Sequence, residues 1–156
     1  MSDTMLSLKK PSELDSIERE YFKHTLLESS NLIFKISYYL NKIEYLSDID
    51  SIVAIFKEKD DIVGMIVFKY KTKFNKIEKK FNKFKIIEID FLLSKKGFGS
   101  KNLNMFMNEF KSYSFLLYTE KDFKHLDNFY TKNGFQEFGK MFFPKRRYYF
   151  KNANSL

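Results

Sequence analysis

The sequence predicts an α/β domain built on a mixed sheet, in the order β-α-α-β-β-β-α-β-α-β-β, and three observations carry that prediction. The hydrophobic period changes from about 3.6 residues to about 2 near residue 50 and returns to about 3.6 after residue 102. A buried strand, a glycine-containing loop and an amphipathic helix follow one another between Phe84 and Phe110. The 156 residues, 44% of them hydrophobic, contain no internal repeat and no linker, which fits residues 1–156 folding as a single domain.

The elements follow in order. Met5-Leu6-Ser7-Leu8 alternates and stops at Pro11, as a short edge strand does. Ser12 is the expected cap of a first helix, with Ser12-Glu13-Leu14-Asp15 as a capping box and Leu14, Ile17 and Tyr21 as an inward stripe reaching about Phe22. Leu32, Ile36, Tyr39, Leu40 and Ile43 form the stripe of a second helix. Ser51 to Lys57 and Ile62 to Lys73 then read as a β-hairpin joined by Glu58-Lys59-Asp60-Asp61. Phe84 to Leu93 is the next strand, Ser94 to Ser100 a loop, and Leu103, Phe106, Met107 and Phe110 the buried face of a helix. Ser114 to Thr119 is a strand, and Phe123, Leu126, Phe129 and Tyr130 mark a helix closed by Asn133-Gly134, where Gly takes the left-handed conformation. Phe135 to Phe143 and Arg147 to Lys151 are the last two strands.

Composition removes several classes of function. There is no cysteine, so no disulfide and no thiolate ligand, and His24 and His125 stand a hundred residues apart; no metal site is expected. No apolar run approaches the roughly 20 residues that cross a bilayer, and Met1 to Lys10 lacks the order of a signal peptide, so a cytoplasmic protein is expected. Hydrolase elbows and His-Glu-x-x-His are absent. The net charge of +8 favours encounters with phosphorylated cofactors, nucleic acid or acidic surfaces.

Lys95-Lys96-Gly97-Phe98-Gly99-Ser100 stands between a buried strand and a helix, where glycines let backbone N–H groups approach an anion at the helix N-terminus. Taken with Phe129-Tyr130-x-Lys132-x-Gly134-Phe135, the run Lys96-Gly97-Phe98-Gly99 resembles the paired signature motifs of the GNAT superfamily of N-acyltransferases, and the element order is similar over nearly the whole chain. Glu88-Ile89-Asp90-Phe91-Leu92-Leu93 followed by Gly97 to Lys101 is most similar to the branch containing aminoglycoside 6′-acetyltransferases and siderophore-type N-acyltransferases. The chain departs from the pattern at Ser94, where Arg or Gln commonly opens the motif, and at Phe123, near a common Asn.

The resemblance implies a GNAT-like fold, acetyl-CoA as co-substrate and transfer of its acetyl group to an amine: a small amine, a protein amine or an aminoacyl-tRNA. It implies that the amides of Lys96, Gly97, Phe98, Gly99 and Ser100 hold the CoA pyrophosphate, with charge from Lys95, Lys96 and Lys101, while the backbone of Phe91, Leu92 and Leu93 pairs with the pantetheine arm. A diphosphate is well served by converging N–H donors, a helix dipole and nearby ammonium groups. Tyr130 matches the tyrosine that protonates the departing thiolate, a task a phenol in a partly dry site can perform; its alternative is a core tyrosine. An amine acceptor arrives protonated and needs a base. Asp90, then Glu88, are the candidates, two apart on one strand face; their alternative is an ion pair with Lys69 or Lys71.

Between Lys69 and Lys85 eight lysines face a single Glu78 and are interleaved with Tyr70, Phe74, Phe81 and Phe84. Such a segment fits RNA or an acidic partner, and equally a solvated strand edge guarded by charge. A catalytically inactive basic module with the same fold is the second reading of the chain.

Overall fold

The computed structural model of the protein describes residues 3–29, 50–71, 85–120, 125–139 and 146–152. The strands are β1 (Thr4–Lys9), β2 (Ile52–Glu58), β3 (Asp61–Lys71), β4 (Ile86–Ser94), β5 (Ser114–Glu120), β6 (Gln136–Gly139) and β7 (Arg146–Lys151). The helices among the described residues are α1 (Ser16–Ser29), α2 (Gly99–Glu109) and α3 (His125–Lys132). One mixed seven-stranded sheet runs β1-β2-β3-β4-β5-β7-β6, the fold class the sequence predicts. The stripe of the predicted second helix, Leu32 to Ile43, lies outside the described residues, as do the ends of the strands predicted to reach Lys73 and Phe143. The chain divides into two compact units, Met1–Phe68 with Phe91–Asn102, and Lys69–Asp90 with Leu103–Leu156.

In the first unit β1 pairs antiparallel with β2 from Thr4↔Glu58 to Lys9↔Val53, and β2 pairs antiparallel with β3 through a two-residue turn at Lys59 and Asp60. Residues 53–56 and 63–68 are all buried, so neither strand shows the alternation of a half-solvated sheet. Val53, Ile55, Met65, Val67 and Leu93 form one apolar face with Leu14 and Phe22 beneath it. Phe22 is fully buried and meets the Phe91 ring edge-on, 5.5 Å between centroids. Edge strand β1 leaves Met5 and Leu8 exposed.

The start of the first helix differs from the expectation. Ser12 does not cap it: Pro11–Glu13 form a separate 3-10 turn in which the Lys10 N–H donates to Glu13 Oε1 at 2.8 Å. Leu14 then runs extended into the core, and α1 starts at Ser16 behind a capping box one register later, where the Glu18 N–H donates to Asp15 Oδ1 at 2.7 Å and the Asp15 N–H to Glu18 Oε1 at 2.9 Å. The inward stripe is accordingly Leu14, Glu18 and Phe22, and Ile17 is 72% exposed. Burying Glu18 is possible because Lys9 and Lys57 reach it from the strands at 2.9 and 3.5 Å.

In the second unit β4 pairs in parallel with β5, β5 antiparallel with β7, and β7 antiparallel with β6. Ile86, Leu116 and Phe150, from three adjacent strands, pack together with Tyr148 against them. Leu103, Phe106, Met107 and Phe110 are buried, as the i, i+3, i+4, i+7 spacing predicts. The end of α3 also follows the prediction: Gly134 sits at φ +93°, and the Phe135 N–H bonds back to Tyr130 O at 3.0 Å.

Candidate functional site

In the first unit β4 ends at Ser94 and the chain turns sharply. The Lys95 N–H donates to Val63 O of β3 at 3.0 Å, and the Phe98 N–H closes a turn onto Lys95 O at 2.9 Å. That turn requires φ +91° at Gly97, a conformation costing an L-residue about 1–2 kcal/mol, whereas no atom lies within 4 Å of where a side chain would begin. Gly97 is therefore demanded by the backbone and leaves open space above it. Gly99 has no positive φ and opens α2 instead. The Asn102 N–H closes the first helical turn onto Phe98 O at 2.9 Å, which makes the amides just before it the N-terminal donors of the helix.

The charges around this loop divide in two. Lys95 and Lys96 are exposed. Lys101 is engaged elsewhere: its Nζ lies 3.8 Å from Glu58 Oε2 and 5.5 Å from the centre of the Phe98 ring. The Ser94 hydroxyl is buried without a hydrogen-bond partner at the foot of the loop. An orphaned hydroxyl, a glycine facing open space, two exposed ammonium groups and a helix N-terminus together fit a bound diphosphate. Phe91 and Leu92, further back on β4, are half-buried, and Leu93 is buried. The same unit holds a groove of about 910 Å³ between the start of α1 and the β2–β3 turn, where the carboxylates of Glu20, Asp60 and Asp61 outnumber Lys95.

In the second unit the β4–β5 register runs from Ile86↔Ser114 to Glu88↔Leu116, and both strands continue beyond it, to Ser94 and Glu120. Glu88 and Asp90 are half-buried on the same face of β4, while Ile87 and Ile89 are buried on the other. Glu88 Oε2 lies 3.7 Å from Lys69 Nζ, the ion pair foreseen as its alternative. Tyr130, on α3, is 7% exposed; its ring centre is 5.0 Å from Tyr149 and 6.1 Å from Phe135. Burial, and then the neighbouring Tyr149, push its phenol far above the usual tyrosine range, so that at neutral pH Tyr130 keeps its proton and has it available to donate. Tyr149 is anchored in turn by its hydroxyl, which donates to Asp127 Oδ1 at 2.6 Å. Phe123 lies outside the described residues.

Two groups that sequence reasoning missed tie these elements down. Buried Asn133 donates from Nδ2 to Phe129 O at 2.8 Å and accepts at Oδ1 from Asn104 Nδ2 at 3.2 Å, fixing the end of α3 to α2. Fully buried Asn102 donates from Nδ2 to Val63 O at 3.1 Å, over Gly64. A lone glycine within the apolar run Ile62 to Phe68 was the available signal of a close approach. Among the described residues no group of three His, Cys, Asp or Glu side chains gathers to hold a metal ion, and no helix is long and apolar enough to cross a membrane.

The fold is that of the GNAT acetyltransferases. A protein of Desulfovibrio desulfuricans assigned to the GNAT family of acetyltransferases is similar over 96% of this chain and 99% of its own, with a TM-score of 0.69 and 10% identity. The N-acetyltransferase PseH of Campylobacter jejuni, solved in complex with acetyl coenzyme A, is similar over 96% and 100%, with a TM-score of 0.61 and 20% identity. An aminoglycoside 6′-acetyltransferase of type Ii covers 97% and 99%, with a TM-score of 0.64 and 15% identity. No family model and no curated protein sequence matches the chain.

Proposed function

We propose that the chain is a single-domain, cytoplasmic N-acetyltransferase that passes the acetyl group of acetyl-CoA directly to an amine. The observation that carries this reading is the turn at Lys95–Gly99, with left-handed Gly97 set against open space at the N-terminus of α2, following a strand whose pairing with β5 has ended at Glu88↔Leu116. The amides of residues 96–100 hold the pyrophosphate, Lys95 and Lys96 neutralise it, and the backbone of Phe91, Leu92 and Leu93 receives the pantetheine arm.

Asp90, directly or through a water, takes a proton from the incoming ammonium. The freed nitrogen attacks the thioester carbonyl carbon, a C–N bond forms and the C–S bond breaks. The Tyr130 hydroxyl gives its proton to the departing sulfur and is restored by the proton the new amide nitrogen sheds. Glu88 is the second candidate base, already held by Lys69. The carboxylates of the groove at Glu20, Asp60 and Asp61 favour a cationic acceptor locally, against the +8 charge of the whole chain.

Calorimetric titration with acetyl-CoA and with free CoA, at low and moderate salt, tests this reading. Saturable binding at roughly micromolar Kd is expected; no heat at either salt would leave the inactive basic module as the reading of the chain.

A second property is favoured by a separate observation in the second unit. Tyr70 is 40% exposed, its ring 5.5 Å from Tyr113 and 6.4 Å from Phe110, and Lys85 Nζ lies 5.3 Å above Tyr113. Aromatic rings beside lysines suit the bases and phosphates of single-stranded RNA. Binding of a short labelled RNA at low salt should weaken about tenfold in Tyr70→Ala, and Lys85→Ala should shallow the salt slope by about 1. RNA that fails to bind the unaltered chain at low salt removes this property.

A further inference from the structure

We propose that Asn102 is a positioning residue that locks the loop of residues 95–99 onto β3 through the carbonyl of Val63. The geometry stands by itself, and its consequence for ligand binding rests on the diphosphate reading of the loop.

The lock begins with a break in the hairpin register. Phe56 pairs with Gly64 and Lys57 with Ile62, so Val63 is the extra residue of a β-bulge. A bulged residue leaves the regular ladder and turns its backbone groups elsewhere. Here the Val63 carbonyl accepts two hydrogen bonds, from the Lys95 N–H at 3.0 Å and from Asn102 Nδ2 at 3.1 Å. Lys95 opens the loop and Asn102 lies in the first turn of the helix that ends it, and the Asn102 N–H also bonds to Phe98 O within the loop at 2.9 Å. Both ends of the loop therefore converge on one carbonyl.

Packing does not account for an amide at this place. Asn102 is 0% exposed, and its Oδ1 is buried without a partner. An amide whose oxygen is buried without a protein partner carries a desolvation cost that an apolar side chain would not, so what favours it here is the bond its Nδ2 makes. Gly64 is fitted to the same purpose. A methyl there would run into the Asn102 amide and approach Leu93 O to 3.0 Å, while the Gly64 backbone has no positive φ that would itself require glycine.

The full-length chain provides the test. In Asn102→Ala the Lys95 amide is expected to exchange with solvent at least about tenfold faster, relative to amides of β2, and the Kd for free CoA to rise about tenfold. A purely structural asparagine would lower the melting temperature and leave both quantities of the folded protein unchanged, which would overturn the proposal. Gly64→Ala attacks the lock from the other side and serves if Asn102→Ala does not fold: it should produce the same two changes, and adding Asn102→Ala to it should add little. Fully additive losses in the double variant would also overturn the proposal. If the unaltered chain binds no CoA, the acetyl-CoA reading falls, and Lys95 exchange alone then decides whether Asn102 holds the loop.

Discussion

Tyr130→Phe lowers turnover by roughly 10- to 1,000-fold and leaves CoA affinity within about twofold. The change removes one oxygen from a ring already seated against Tyr149 and Phe135, so the packing of α3 survives it. What disappears is a hydroxyl that burial keeps protonated. Because the phenol is displaced upward, its ionisation supplies no limb to the pH–rate profile near neutrality. Steady-state kinetics with any accepted amine, paired with CoA titration of the same preparation, decide the matter. Equal turnover in the two proteins would exclude Tyr130 from the chemistry and leave it as a core tyrosine.

Glu18→Ala costs about 2–4 kcal/mol of stability, a fall of roughly 5–15 °C in Tm. Glu18 is the point where α1 meets the strands: Lys9 donates to both its oxygens, Lys57 approaches one, and it completes the cap of its own helix through the Asp15 N–H. The magnitude is held down because the lysine side chains are 32% and 35% exposed and can return to water when the carboxylate is gone. Burial alone pushes the Glu18 carboxyl upward, but the Lys9 hydrogen bond, the Asp15 amide and the Lys9 charge outweigh it and hold the group below its ordinary value. A carboxylate so lowered contributes its stability above the ordinary glutamate range and loses it as the pH falls through and below that range. Lys9, raised by its bond to Glu18, contributes below the ordinary lysine range and loses its share as the pH climbs through and beyond it. Thermal melts of both proteins across pH should therefore converge at low pH; a gap that stays constant would show that Glu18 acts through packing alone.

These two residues also mark what the sequence could and could not disclose. The helix that carries Tyr130 was legible because Asn133-Gly134 closes it with a turn that depends on neighbouring residues only, and α2 because Leu103, Phe106, Met107 and Phe110 repeat with the helix itself. Gly97 was legible for the same local reason. Glu18 was not: its partners are nine and 39 positions away, and Ile17 looked the better inward residue until strands supplied two ammonium groups to its neighbour. Asn102 was hidden similarly, since its seat is made by Gly64 and a bulge on another strand. For Glu88 both readings were open, and only the placement of Lys69 beside it shows an ion pair. Periodicity reports what one segment wants, whereas buried polar groups are decided by what a distant segment brings.

The placement of β7 has a consequence for how the chain is made. β7 follows β6 in sequence but lies between β5 and β6, pairing with β5 from Phe115↔Lys151 to Glu120↔Arg146. While the nascent chain stops short of residue 151, β5 and β6 both lack the strand that, among the described residues, pairs with each of them. Tyr149, the residue against which Tyr130 packs, arrives in that same late segment. Translation therefore delivers the C-terminal sheet of the second unit in one step, and a ribosome paused before that step exposes a strand edge that only the remaining residues, or a chaperone, can cover.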